Sequence, residues 1–360
     1  MAGVRPDREV LSGQPRGLVY VSDRGRGIRR VRLRTQKKRG GKKSPAQFYY
    51  LGPSGRRIRD ARTLARIAKL AIPPAYEDVW ISTQPRGHLQ ATGRDARGRK
   101  QYRYHPDWSS ARNDWKHSRM RSFGQALGRM RAAVRRDLKR PGLPREKVLA
   151  LVVKLLDTTQ VRVGNAEYAR TNNSFGLTTL RDRHARFAAR GKASLQFRGK
   201  GGSQHDVPID DARLARLVRR CQELPGQALF QYEDDGGGHH AVDSGQVNDY
   251  LREVMGSEFT AKDFRTWHAS LHALTMLANT PLPGRRSEAA LRRCMNAVVK
   301  DVAASLRNTP AVCRKSYINP AVFIAWQDGR LQRRAGRGKS TKLATSRAAK
   351  TLLSLLRHGP

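Results

Sequence analysis

The sequence predicts an α+β fold in two parts: a small strand-rich N-terminal domain, then a larger, mainly helical domain that carries a short β-hairpin sheet. Three observations predict it. Before about residue 110, short β-prone runs alternate with breaks rich in Gly and Pro. After it, apolar residues recur at helical spacing over long stretches, which sets the domain boundary near residue 110. Inside the helical part, two β-prone runs flank Arg198-Gly199-Lys200-Gly201-Gly202, a hairpin whose glycine-rich tip bears one lysine.

Taken in order, residues 1–17 hold little apolar content and are expected to form a flexible leader. Residues 18–21 (Leu-Val-Tyr-Val) are the expected first strand. Residues 24–43 carry eleven Lys or Arg and no acid, the pattern of a mobile basic loop. A strand is expected at 47–51, closed by Gly52-Pro53-Ser54-Gly55, and a helix at 60–71, stopped by Pro73-Pro74. Short strands follow at 79–81, 88–92 and 100–104. In the last of these, Gln101 and Arg103 face one side, and Tyr102 and Tyr104 the other. Lys100 opens that strand. Basic and aromatic side chains interleaved in this way suit phosphates and base edges, and equally a half-buried strand with core tyrosines.

Helical spacing begins near residue 109 and covers 111–139, and the break at Pro141-Gly142-Leu143-Pro144 leads into 148–156, apolar almost all round and so a core helix. Beyond the hairpin, helices are expected at 211–223, 245–255, 262–278 and 287–306. Asn319-Pro320 has the form of an N-cap followed by a first-turn proline, opening a further helix. Residues 331–360 form a basic tail with eight Lys or Arg, no acid, and a leucine cluster that hints at a terminal helix.

Charge decides the class of partner. The 360 residues include 72 Lys plus Arg against 29 Asp plus Glu, a net charge of +43. So large an excess, spread along the chain, makes a polyanion the expected partner. Nucleic acid is favoured over a membrane because no apolar run approaches the roughly 18 residues of a spanning helix, and the N-terminus has no apolar signal core. Cys221, Cys294 and Cys313 are scattered without C-x-x-C spacing, which fits a reducing cytosol and offers no zinc site.

Tyr317 is the candidate nucleophile. It lies in a basic, turn-rich segment between a long periodic run and Asn319-Pro320. A phenol with a pKa near ~10 is a poor nucleophile at neutral pH. Its attack on a phosphodiester also builds charge on the non-bridging oxygens, so the site needs fixed cations and an acid for the leaving oxygen. Arginine suits the first task because its planar fork holds two oxygens and never titrates. Lysine suits the second, since neighbouring cations can lower its pKa. Candidates stand at structural breaks: Arg162 after the core helix, Lys200 on the hairpin tip, and Arg265 near the start of a helix. In a chain this basic, it is their order, with the tyrosine last, that is informative.

With these residues in place, the sequence resembles the type IB DNA topoisomerases, in their small poxvirus-like bacterial form. The resemblance runs from about residue 18 to 330. It is carried by Gly87-His88-Leu89-Gln90-Ala91-Thr92-Gly93-Arg94-Asp95 and Gly98-Arg99-Lys100-Gln101-Tyr102-Arg103-Tyr104 in the first part. In the second it is carried by Arg162-Val163-Gly164-Asn165, Phe197-Arg198-Gly199-Lys200, Lys262-Asp263-Phe264-Arg265-Thr266 and Lys315-Ser316-Tyr317. It implies an N-terminal DNA-clamp domain at 18–110, a catalytic domain at 111–330, and a nick-and-rejoin cycle that needs no cofactor, metal or ATP. Tyr317 would become a 3′-phosphotyrosyl ester, Arg162 and Arg265 would clamp the phosphate, and Lys200 would protonate the leaving 5′ oxygen. The strand with Gln101, Tyr102 and Tyr104 would enter the major groove of double-stranded DNA, with Lys100, Arg103 and Lys262 as further DNA contacts. The implied enzyme is a cytoplasmic, nucleoid-associated monomer that closes around the duplex.

One position departs from the pattern. Many relatives have His nine residues before the tyrosine, where this chain has Asn308. An amide donates a hydrogen bond to a phosphoryl oxygen but carries no full charge. A tyrosine recombinase uses a similar residue set, but its second arginine usually follows His as H-x-x-R, whereas here Lys262 takes that place. A non-catalytic DNA-compacting protein would explain the charge alone. His268 and His272, four apart on an expected helix, lack the Glu of H-E-x-x-H and are expected to be ordinary helix-face residues. The stretch 234–240 is expected to be a surface loop.

Overall fold

The computed structural model describes residues 17–33, 47–188, 192–256, 259–335 and 345–357. The expected leader up to residue 16, the end of the basic loop at 34–43 and the middle of the basic tail lie outside the described residues. The chain divides into two compact units, Met1–Lys116 and His117–Pro360.

The first unit is built on an antiparallel sheet of β1 (Ile28–Arg32), β2 (Phe48–Leu51), β3 (Glu77–Ile81), β4 (Leu89–Arg94) and β5 (Lys100–Tyr104), in the order β2-β1-β3-β4-β5. Helix α1 (Ala61–Lys69) starts at Asp60, whose carboxylate accepts from the backbone N–H of Arg62 and Thr63. Its Ile67 joins Ile28, Val79, Ile81 and Ala91 in the small core. The expected strand at 18–21 is absent; Val19 makes only a single bridge, to Gly87. The sheet has β1 instead, in a stretch that looked like loop because arginines interrupt its apolar residues. The reason is visible at Arg30, which donates to the carbonyls of Ile72, Pro73 and Tyr76 and stacks over Phe48 at 4.2 Å. An arginine with three backbone acceptors and an aromatic face fits a half-buried strand position as well as an apolar residue does.

Helix α2 (Pro106–Asp137) contains the division between the units. The second unit continues with α3 (Arg145–Thr159), buried along most of its length, and α4 (Ala166–Asn172). A three-stranded antiparallel sheet, β6-β7-β8, follows: β6 (Ala185–Phe187), β7 (Ala193–Arg198) and β8 (Gln204–Ile209). The hairpin expected from sequence is β7–β8; β6, only three residues long, has no alternating pattern to announce it. Next come α5 (Ala212–Gln222), the short ladder β9 (Gln231–Glu233) with β10 (His239–Ala241), α6 (Ser244–Met255), α7 (Ala261–Ala278) and α8 (Glu288–Leu306). The stretch expected as a loop at 234–240 is thus the turn of a ladder. Asp234 organises it by accepting from Gly236 N–H, Gly238 N–H and His240 Nε2. Among the described residues four short helices follow: α9 (Pro310–Ser316), α10 (Pro320–Gln327), α11 (Arg330–Ala335) and α12 (Thr345–Leu355). Leu331, Ala348, Leu352 and Leu355 are buried in the same core as α3 and α7, so these last helices are packed structure rather than a loose tail.

One buried polar network ties α2, α3 and α7 together. The Asp157 carboxylate accepts two bonds from Arg131, at 2.8 and 3.0 Å, and one from His268 Nε2 at 3.2 Å. His272 instead meets Asp301, at 3.2 Å. Burial alone would raise the Asp157 pKa, but the bonds from His268 and Arg131 outweigh it and hold the carboxyl well below its usual range. A carboxylate depressed in this way contributes stability that is present above the unfolded pKa, near ~4, and is lost as pH falls toward the folded value. Thermal melts across pH should show it: Asp157→Asn lowers neutral-pH stability by about 3–5 kcal/mol and flattens the acid limb relative to the parent.

Candidate active site

Several chain segments converge on an open cleft of about 390 Å³ in the second unit, lined among others by Arg162, Lys200, Lys262, Arg265 and Tyr317. Each segment is held by local rules. Helix α3 ends at Gln160, in the left-handed region at φ +59, which turns the chain so that Arg162 follows outside the helix. The Arg162 and Val163 carbonyls accept from Leu177 and Thr178 N–H, at 2.9 and 2.7 Å. This apposition needs glycine at 176, where a Cβ would sit 2.6 Å from the Arg162 carbonyl oxygen. Lys200 is exposed at the tip of the β7–β8 hairpin, where Gly201 and Gly202 take φ +78 and +83.

Arg265 lies in the first turns of α7 and is only 4% exposed. Its guanidinium donates to the Gln160 carbonyl and to the Leu306 carbonyl, the latter at 2.8 Å, so it staples the ends of α3 and α8 together. Its Cζ stands 5.3 Å from the centre of the Tyr317 ring. Asn308 follows α8 through Arg307, in the left-handed region at φ +51, and its Oδ1 accepts from Arg162 Nη2 at 2.5 Å. That bond aims the amide N–H₂ of Asn308 away from the arginine. Arg162 Nη1, Arg265 Nε and Asn308 Nδ2 are buried and have no hydrogen-bond partner among the described residues. Three unanswered donors beside one cleft are what an anionic ligand requires.

Tyr317 caps α9, whose first turn is set by Thr309 and Pro310. Its N–H donates to the Cys313 carbonyl and its carbonyl accepts from Ser270 Oγ at 3.2 Å, while Ser270 in turn accepts from Asn319 N–H at 2.9 Å. The sequence suggested a turn around Tyr317 and missed both α9 and Ser270. Ser270 is fully buried on α7, five residues after Arg265, and a polar residue within an apolar helical stripe was the one signal that could have drawn notice. Burial raises the Tyr317 pKa. The charges of Arg265 and Arg162, a hydrogen bond from Arg265 and the charge of Lys262 more than offset this, and the phenol lies below its ordinary value. Among the described residues no group of three or more His, Cys, Asp or Glu is placed to hold a metal ion.

The other expected DNA-contacting residues lie in the first unit, on β5. Lys100 Nζ meets Asp23 Oδ2 at 2.5 Å, Gln101 Nε2 donates to Asp95 Oδ2 at 2.9 Å, and Arg103 donates to the Ala71 carbonyl at 3.1 Å. Tyr102 and Tyr104 stack on each other at 6.1 Å and are 49% and 45% exposed.

Residues 105–328 match the family model of the eukaryotic DNA topoisomerase I catalytic core, and residues 47–95 that of the bacterial DNA topoisomerase IB N-terminal domain. DNA topoisomerase 1B of Acanthamoeba polyphaga mimivirus is 32% identical over 297 residues, covering 78% of this chain and 88% of the relative. The chain belongs to the type IB DNA topoisomerase family. DNA topoisomerase 1B of vaccinia virus (strain Copenhagen) is 21% identical over 263 residues, 70% of this chain and 76% of its own. DNA topoisomerase 1 of Mycosarcoma maydis matches more narrowly, 23% over 182 residues. As a type IB topoisomerase the chain is an isomerase that acts on DNA, and no helix among its described residues is long and apolar enough to cross a membrane.

Proposed function

We propose that the protein relaxes supercoiled DNA by transient cleavage of one strand through a 3′-phosphotyrosyl intermediate at Tyr317, followed by strand swivelling and religation. The observation that carries this reading is the buried Arg265 guanidinium against the Tyr317 ring, with the unanswered donors of Arg162 and Asn308 beside it. Tyr317 Oη attacks the phosphorus; the Oη–P bond forms as the P–O5′ bond breaks. Arg162, Arg265 and the Asn308 amide bind the non-bridging oxygens as charge builds on them. Lys200 gives a proton to the departing 5′ oxygen, while the phenol proton is lost to water and the lysine is later re-protonated. One ester replaces another, so the 5′ hydroxyl can reverse the step without a nucleotide, and the arginines supply the positive charge that a metal would otherwise bring. Tyr102 and Tyr104, with Lys100, Gln101 and Arg103, contact the duplex from the first unit, and Lys262 contacts it beside the cleft. The two units act as a monomeric clamp on nucleoid DNA.

The direct test is relaxation of a supercoiled plasmid with chelator present and ATP absent, with the covalent adduct trapped by detergent. Relaxation that requires ATP or metal, or binding with no adduct, rejects the proposal. Lys200→Ala is expected to slow cleavage by about 10²–10⁴-fold. A substrate with sulfur at the bridging 5′ position, a leaving group that needs no proton, restores the rate if lysine is the acid.

A further inference from the structure

His205 occupies a place where a hydrocarbon would suffice for packing. It points inward from β8, is 7% exposed, and pairs across the ladder with Phe197, the two rings stacked at 4.6 Å and 15°. Yet its Nε2 lies 3.3 Å from Ser203 Oγ, and the same hydroxyl donates to the Lys200 carbonyl at 3.2 Å. A hydroxyl has one proton. With that proton on the Lys200 carbonyl, Ser203 can only accept from the ring, so Nε2 carries the N–H and Nδ1 is a bare lone pair. Nδ1 is buried and has no hydrogen-bond partner among the described residues. Burial and the charges of Arg307, Arg162 and Arg265 hold its pKa down to about 4, so at neutral pH the ring is uncharged.

The ring is also the floor of the hairpin turn. A Cβ on Gly199 would lie 2.4 Å from His205 Nε2, so the turn closes over the imidazole only because residue 199 has no side chain. Gly199 N–H then donates to the Ser203 carbonyl at 2.8 Å, closing the loop that presents Lys200. On the next position of the same strand, the Asp206 carbonyl accepts from Arg307, the residue that precedes Asn308, which fastens β8 to the end of α8.

We infer that His205 is a positioning residue for Lys200: its neutral ring, through Ser203, sets the backbone of the hairpin tip so that the ammonium reaches the leaving 5′ oxygen. The inference rests on reading Lys200 as the proton donor. It differs from a packing role in one measurable respect. A residue that only supports the core slows cleavage whatever the leaving group, whereas one that places the acid matters only where a proton is needed.

The experiment compares single-turnover cleavage of a duplex carrying either oxygen or sulfur at the bridging 5′ position, using the full-length parent, Lys200→Ala, His205→Ala, His205→Gln and Ser203→Ala. Misplacing a catalytic group by about an ångström costs on the order of 10²-fold, and His205→Ala should show a loss of that size on oxygen. On sulfur its rate should stay within about twofold of the parent, as for Lys200→Ala. His205→Gln, which keeps an N–H near the Nε2 position, should recover most of the loss, and Ser203→Ala should repeat the oxygen-selective defect in weaker form. Equal slowing of His205→Ala on both substrates, with Lys200→Ala rescued, overturns the inference and leaves the lysine assignment standing. If Lys200→Ala is itself not rescued, the lysine assignment falls and takes the inference with it. Should His205→Ala fail to fold, Ser203→Ala, which removes one hydroxyl, decides by the same comparison.

Discussion

Tyr317→Phe should yield no relaxation and no detergent-stable protein–DNA adduct, while DNA affinity at fixed salt stays within about twofold of the parent, because backbone phosphate contacts dominate that affinity. Only the phenolic oxygen is removed. The links that place the residue, Ser270 Oγ to its carbonyl and its N–H to Cys313, are backbone links and survive the change. The ring keeps its place beside Arg265. Loss of affinity along with activity would mean that the hydroxyl holds the fold or the duplex rather than attacking the phosphorus. Plasmid relaxation, adduct gels and a salt-matched binding titration settle the matter together.

Arg265→Ala should damage two things at once. Cleavage is expected to fall about 10²–10³-fold, the usual loss when one fixed donor to a developing oxyanion is removed. Stability is expected to fall as well, since the Gln160 and Leu306 carbonyls lose their donor in a buried place, at about 1–3 kcal/mol for each group left unsatisfied. Arg265→Lys should recover little of either, because one ammonium cannot span two carbonyls and still face the ring. There is also a pH signature. The arginine charge helps to lower the Tyr317 pKa against the opposing effect of burial. Removing it leaves burial less opposed, so the pKa rises and the rising limb of the cleavage-rate profile moves to higher pH. Melting curves and single-turnover rates across pH check the three outcomes separately.

Much of this was legible in the sequence wherever local rules decide structure. The helices α5, α6, α7 and α8 fall within about a residue of their expected ends because apolar spacing, caps and breaks agree there. Asn319 and Pro320 do open α10, the asparagine accepting from Ala321 N–H. Legibility fails where a distant partner decides. Strand β1 depends on carbonyls more than 40 residues away that satisfy Arg30, and no window along the chain contains them. The site divides in the same way. Arg162, Lys200, Arg265 and Tyr317 could be named from their order, and they do line one cleft. What joins them could not be named: the carbonyls of Gln160 and Leu306, the bond between Arg162 and Asn308, and the hydroxyl of Ser270. Each of these links ends on a backbone atom or a small polar side chain, and no local pattern in the sequence says what that atom will bond.

Ser270 and Arg265 project from one helix, and the first fastens the tyrosine backbone while the second faces its ring. In the proposed cycle the tyrosine is the tether on which a rotating duplex pulls. There the Ser270 link would steady the tyrosine backbone against the body of α7. Attachment point and charge would then shift together under torque, an arrangement that favours rejoining of the broken ends.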